Sequence, residues 1–156
     1  MSDTLRDFLS QHPLGQADAN SEAVCARFAR AGAWEERYRE LIQLGKQLPV
    51  IPAEWCGEEQ ELPGCESQVW LLAMQDPQGR WHFAADSQAR IVRGLLAVVL
   101  AALNHQSAEH ILNFDMEGYF DTLQLAKHLS PSRGNGLRAM VNAIRARVVS
   151  VPEISE

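Results

Sequence analysis

Apolar residues fall at two different spacings along the chain and divide it into a helical beginning, a strand-like middle and a helical end. Near the start, Val24 and Phe28 stand four apart after a possible cap at Asn20 or Ser21, and Gly32 closes the segment. Trp34, Tyr38, Leu41, Ile42 and Leu48 then share one stripe of a second helix that Pro49 and Pro52 end. Together these predict an amphipathic N-terminal layer. Residues 1–20, with Pro13, Gly15 and little periodicity, read as a loose N-terminal arm.

The middle changes period. Gln68 to Met74 and Trp81 to Ala85 are short apolar runs separated by Asp76-Pro77-Gln78-Gly79, which is a hairpin pattern. The first run is apolar on both faces and predicts a central, covered strand, with Glu61-Leu62 as a third strand at the edge. Asp86-Ser87 is a plausible cap for Ile91 to Leu103, which reads as the most deeply buried helix. Shorter helical pieces open at Ser107 and Asp115, and Ser130-Pro131 sets a cap before proline at a first helical position. In the last helix Leu137, Met140, Val141, Ile144 and Val148 form the apolar stripe, with Arg138, Asn142 and Arg145 toward water. Strands that follow one another, rather than alternate with helices, predict an α+β fold. Its small antiparallel sheet of about three strands, built on a central hairpin, packs against N-terminal and C-terminal helices.

At 156 residues and 46% apolar content, the chain fits a single domain over 1–156 that stands on apolar burial without a disulfide or structural metal. A formal net charge of −6 is the wrong sign for neutralising phosphates, so nucleic acid is not an expected partner. The acid is unevenly placed: Thr122 to Pro152 holds Lys127, Arg133, Arg138, Arg145 and Arg147 and no Asp or Glu. No signal-like leader and no apolar run of the ~20 residues needed to span a bilayer occurs, so a soluble, cytoplasmic protein with no membrane partner is expected.

Nucleotide-binding, zinc-protease and hydrolase motifs are missing, and the five histidines lack ligand spacing, so neither a cofactor nor a metal is expected. Of the three cysteines, Cys25 lies beside the Val24 and Phe28 stripe and reads as a small apolar side chain; Cys56, in the polar stretch Glu54 to Glu59, reads as an exposed loop residue without a role. Cys65 stands in Pro63-Gly64-Cys65-Glu66-Ser67-Gln68, where Gly64 lets the backbone bend and the sulfur could reach the rim of the sheet. On position, a presented thiol and a loop residue tucked under the hairpin are equally good readings. Its surroundings do not activate it: Glu54, Glu58, Glu59, Glu61 and Glu66 are near in sequence, and no basic residue occurs between Lys46 and Arg80. Like charge favours the neutral thiol, so Cys65 does not fit a self-sufficient nucleophile; it suits a thiol that receives a group from an activated donor.

Four blocks carry a likeness. They are Trp34-Glu35-Glu36-Arg37-Tyr38 continuing to Leu48-Pro49; Gly64-Cys65-Glu66-Ser67-Gln68-Val69-Trp70-Leu71; Asp86-Ser87 with Ile91-Val92-Arg93-Gly94-Leu95; and Leu129-Ser130-Pro131-Ser132-Arg133 with Asn135-Gly136-Leu137. In these the chain resembles the SufE family of sulfur-acceptor proteins, including its CsdE branch, from about Ser21 to Val149.

The resemblance implies a partner of a cysteine desulfurase, whose pyridoxal phosphate belongs to that enzyme and not to this chain. The family's acceptor cysteine maps onto Cys65, which would carry a persulfide, stimulate the desulfurase and relay sulfur to a downstream acceptor or scaffold for iron–sulfur cluster assembly or related trafficking. Gly64 and Arg133 are candidate supporting residues. Such a chain is a sulfur-transfer accessory protein rather than a stand-alone enzyme, monomer or homodimer. The alternative is an iron–sulfur cluster scaffold of similar architecture, which calls for clustered thiolate ligands.

Overall fold

A computed structural model describes residues 3–62, 67–125 and 129–150. Helices α1 (Asp3–Ser10), α2 (Ser21–Ala29) and α3 (Trp34–Gly45) precede strands β1 (Val69–Gln75) and β2 (Arg80–Ser87). Helix α4 (Arg90–Leu103), strand β3 (Gln106–Ser107), α5 (Ala108–Asn113), α6 (Met116–Leu123) and α7 (Pro131–Ser150) follow. This is the α+β arrangement that the spacing predicts, an antiparallel sheet in the order β1-β2-β3 with helices before and after it.

The hairpin joining β1 to β2 turns where Asp76 Oδ1 accepts the backbone N–H groups of Gln78 and Arg80, each at 2.9 Å. Gly79 supplies the positive φ of 86° that the reversal needs. The pairing runs from Val69 opposite Ser87 to Gln75 opposite Trp81. Side chains alternate across the sheet as the pleat requires. Val69, Leu71, Trp81, Phe83 and Ala85 enter the main core, while Leu72 and Ala84 enter a smaller cluster on the opposite face.

Helix α4 fills the main core, with Ile91, Val92 and every residue from Gly94 to Leu103 buried. Each large aliphatic side chain enclosed there contributes roughly 1.5–3 kcal/mol relative to exposure. Its backbone runs unusually close to α3. A Cβ placed on Gly94 would strike the Leu41 carbonyl, and one on Gly45 would lie 2.8 Å from the Gly94 nitrogen. Glycine at both positions sets the spacing of the two helices.

Two expectations are corrected. The third strand is Gln106–Ser107, paired with Arg80 and Trp81, whereas Glu61 makes an isolated bridge to Trp70. Farther along β2, the side-chain amide of Asn104 stands in for a neighbouring strand: its Oδ1 accepts from Phe83 N at 2.6 Å, and its Nδ2 donates to Phe83 O at 3.1 Å. Residues 1–20 are not a loose arm over the described part. Helix α1 covers the second face of the sheet, with Leu9 fully buried and Leu5 and Phe8 packed around it beside Trp55 and Cys56. The stripe is short but present in the sequence, with Leu5, Phe8 and Leu9 at helical spacing, and its burial against the sheet holds the segment.

Beyond α1, Leu14 and His12 are also fully buried. His12 Nδ1 accepts the Leu14 N–H at 3.2 Å, and burial, followed by the nearby His105, pushes the ring's pKa down to about 4. An unfolded histidine titrates near pH ~6.5, so the unfolded chain binds the additional proton between these values. The contribution of this group is therefore complete above pH ~6.5 and is lost as pH falls toward about 4. Urea midpoints measured at pH 7 and pH 4.5 are expected to be lower at the acid value, and His12→Asn is expected to shrink the difference.

Candidate functional site

Cys65 and Gly64 lie outside the described residues, so the site is defined by what stands on either side of them. Leu62 N donates to Val69 O at 2.8 Å, Glu61 bridges to Trp70, and Gln68 Nε2 donates to Glu61 Oε1 at 3.2 Å. These bonds close the chain on itself around positions 63–66, at the end of the sheet where Val69 faces Ser87. The apolar Val69 and Leu62 are buried and fix the stem, while Glu61 is exposed and sets its outer face.

That end of the sheet is held from beneath by an ion pair. Asp86, the penultimate residue of β2, pairs through Oδ1 with Arg93 Nη1 of α4 and accepts Ile51 N through Oδ2 at 3.2 Å. Arg93 Nη2 also donates to the carbonyls of Leu48 at 2.8 Å and Gly45 at 3.3 Å. One buried carboxylate and one guanidinium thus tie together β2, α4, the end of α3 and the segment entering residue 51. Sequence spacing reads Asp86-Ser87 as a helix cap; in the structure Ala89 occupies the N-cap, and Ser87 Oγ accepts Ala89 N at 3.3 Å. The signal for the pair is a lone arginine inside the apolar run Ile91 to Leu103, which has to find an acceptor when buried.

Neither described thiol is activated. Cys25 is half-buried against the main core, and burial, then Glu22, pushes its pKa up. Cys56 is not the exposed loop residue expected from its polar neighbours: it follows a short helical turn, Ala53–Trp55, and packs on the second face of the sheet. Its Sγ donates to Ile51 O at 3.9 Å, and burial raises its pKa. Glu54, Glu58 and Glu61, which precede position 65 along the chain, are exposed.

Arg133 stands in the first turn of α7, where its backbone N donates to Ser130 Oγ at 3.4 Å, as the Ser-Pro pattern predicts. Its side chain is exposed and has no hydrogen-bond or ion-pair partner among the described residues. Arg145 departs from the water-facing position expected of it, because its guanidinium donates to Ile111 O and Phe114 O at 3.0 and 2.7 Å and caps the end of α5. No helix among the described residues is long and apolar enough to cross a membrane.

Residues 22–148 match the SufE family, described as an Fe-S metabolism associated domain. The chain is also similar to a solved structure, the solution structure of a hypothetical protein from Thermus thermophilus. The two are 19% identical with a TM-score of 0.66, over 83% of this chain and 93% of the other. At that identity the likeness concerns the fold.

Proposed function

Because the chain belongs to the SufE family, a family associated with Fe–S metabolism, we propose that it accepts sulfur from a cysteine desulfurase on Cys65 and passes it on. The match over residues 22–148, with Cys65 inside it, carries this reading. In the transfer, the Cys65 thiolate attacks the outer sulfur of the donor's persulfide. The bond between that sulfur and the donor's own sulfur breaks, and the donor leaves as a thiolate that takes up a proton. One sulfur atom at the sulfane level moves, with no net oxidation or reduction.

The glutamates that flank Cys65 in sequence, with no basic residue between Lys46 and Arg80, leave the thiol to be activated by the partner, which fits a carrier that reacts only when docked. The supporting roles of Gly64 and Arg133 belong to the same reading: Gly64 gives the backbone freedom beside the thiol, and Arg133 offers an uncommitted cation. The runner-up, a cluster scaffold, is disfavoured by packing. Cys25 lies against the main core and Cys56 on the opposite face of the sheet, so these two sulfurs cannot ligate one cluster.

The test is intact mass after incubation with a cysteine desulfurase and free cysteine. The wild type is expected to gain ~32 Da, reversibly with reductant, and Cys65→Ser to gain nothing, while Cys25→Ala and Cys56→Ser behave as wild type. An equal gain in Cys65→Ser would remove the sulfur from this residue.

A further inference from the structure

At the turn end of the hairpin, opposite the candidate site, a chain of polar groups crosses from the sheet to the N-terminal segment. Asp76 Oδ2 lies 2.8 Å from His82 Nε2, His82 Nδ1 lies 2.7 Å from His105 Nδ1, and His105 Nε2 lies 2.8 Å from the His12 carbonyl oxygen. His82 is 7% exposed, so water does not substitute for its own two partners. Each contact needs one proton between its two atoms, because both ends of the chain are oxygens that accept. Three contacts need three protons, and two neutral imidazoles carry two.

The additional proton has a place. Burial pushes the Asp76 carboxyl up, but the hydrogen bonds from His82, Arg80 and Gln78 outweigh it and hold the group below the usual carboxylate range, so it is the anion. Burial pushes the His105 ring down, the bond to the His12 carbonyl pulls it up, and a charge on His82 pushes it down again. With Asp76 anionic, all three contacts are satisfied at once when His105 carries its proton on Nε2 and His82 carries protons on both ring nitrogens.

We propose that His82 and His105 form a proton-locked latch that fastens the strap of residues 11–16 to the sheet. When the third proton leaves, the bond to the Asp76 carboxylate, being charge-assisted, keeps its own. His105 then directs its single proton to His82 and sets a bare Nε2 against the His12 oxygen. Two lone pairs face each other where a hydrogen bond had been. The Gln16 amide, 3.4 Å from His105 Nε2 and 3.3 Å from the His12 oxygen, is placed to take up the partners so released.

The remaining groups around the pair do not supply a competing anion. Arg80 donates to the His105 carbonyl at 3.2 Å and adds positive charge from β2. Met74 faces His82 from β1, Gln106 and Ser107 of β3 are uncharged, and Arg6 and Asp7 of α1 are exposed. The buried His12 ring, whose Nε2 has no partner among the described residues, has its pKa pushed down to about 4 by burial and then by His105, so it adds no charge at neutral pH.

The experiment is a pH titration of the full chain from pH 5 to 9, followed by nitrogen-detected histidine spectra and by hydrogen exchange at the Leu14 and Gly15 amides. Both His82 ring nitrogens are expected to be protonated at pH 6. Protection factors of the two amides are expected to fall about tenfold as the third proton is lost, the scale of one hydrogen bond. Asp76→Asn is expected to move that midpoint to lower pH. In His105→Asn, at a position with φ of 64° that asparagine tolerates, the pH dependence is expected to vanish. A bare nitrogen on His82 at pH 6, or protection unchanged across the range, overturns the latch.

Discussion

Replacing Gly94 by valine is expected to destabilise the protein by roughly 3 kcal/mol or more, a large share of the stability of an ordinary domain. The reason is the crossing of α3 and α4. Even a first carbon on Gly94 meets the Leu41 carbonyl, which is backbone and cannot rotate away, and Gly45 on the facing helix has no side chain to withdraw. Relief requires the helices to separate, which opens the packing of Leu41 and Leu44 on α4. A control isolates this effect from helix propensity. At Gly134 of α7 a Cβ would meet nothing within 4 Å, so Gly134→Ala is expected to raise stability by up to about 1 kcal/mol. Thermal melts of the two variants should move in opposite directions; a neutral Gly94→Val would show that the crossing is looser than its geometry.

The second large effect is expected at Asp86. Truncation to alanine leaves the Arg93 guanidinium charged and enclosed, and strips an acceptor from Ile51 N and Ser87 N. Breaking one side of such a pair costs roughly 3–5 kcal/mol, mostly through the charge left behind. Asp86→Asn keeps an oxygen for Ile51 N and is expected to lose less. A double variant, Asp86→Ala with Arg93→Met, removes the stranded charge and should recover part of the loss, as urea midpoints would show. Recovery to wild-type stability would mean that the pair serves the position of the sheet end rather than the stability of the fold. Because Ser87 faces Val69 across the hairpin, the single alanine variant should also slow sulfur uptake at temperatures where it remains folded.

Much of the fold is readable from spacing, for identifiable reasons. The caps at Asn20, Ser107 and Asp115 are legible because such side chains accept a backbone N–H group three residues on, and the structure places each one so. The buried stripe of α7 is equally plain, since Leu137, Met140, Val141, Ile144 and Val148 repeat at helical intervals. What escapes spacing is long-range. A strand of two residues carries no alternation, so Gln106–Ser107 cannot be separated from a loop, and the role of Asn104 as a substitute strand depends on Phe83 being beside it. Likewise Asp86 and Arg93 look like a cap residue and a blemish in an apolar run until the fold brings them together. Cys65 is singled out by its Gly-Cys setting and by the family likeness, and glutamates from Glu54 to Glu61 precede it in sequence.

The Asn104 amide also donates to the Leu14 carbonyl across 90 residues of chain, and His105 reaches the His12 carbonyl across 93. Contacts this distant in sequence demand the closure of a very large loop before they return any energy. The segment from α3 through the hairpin to α4, whose contacts are far more local, can assemble without them. During synthesis the strap of residues 11–16 leaves the ribosome long before its partners exist, and it takes its place only after α4 and the residues that follow it have been made.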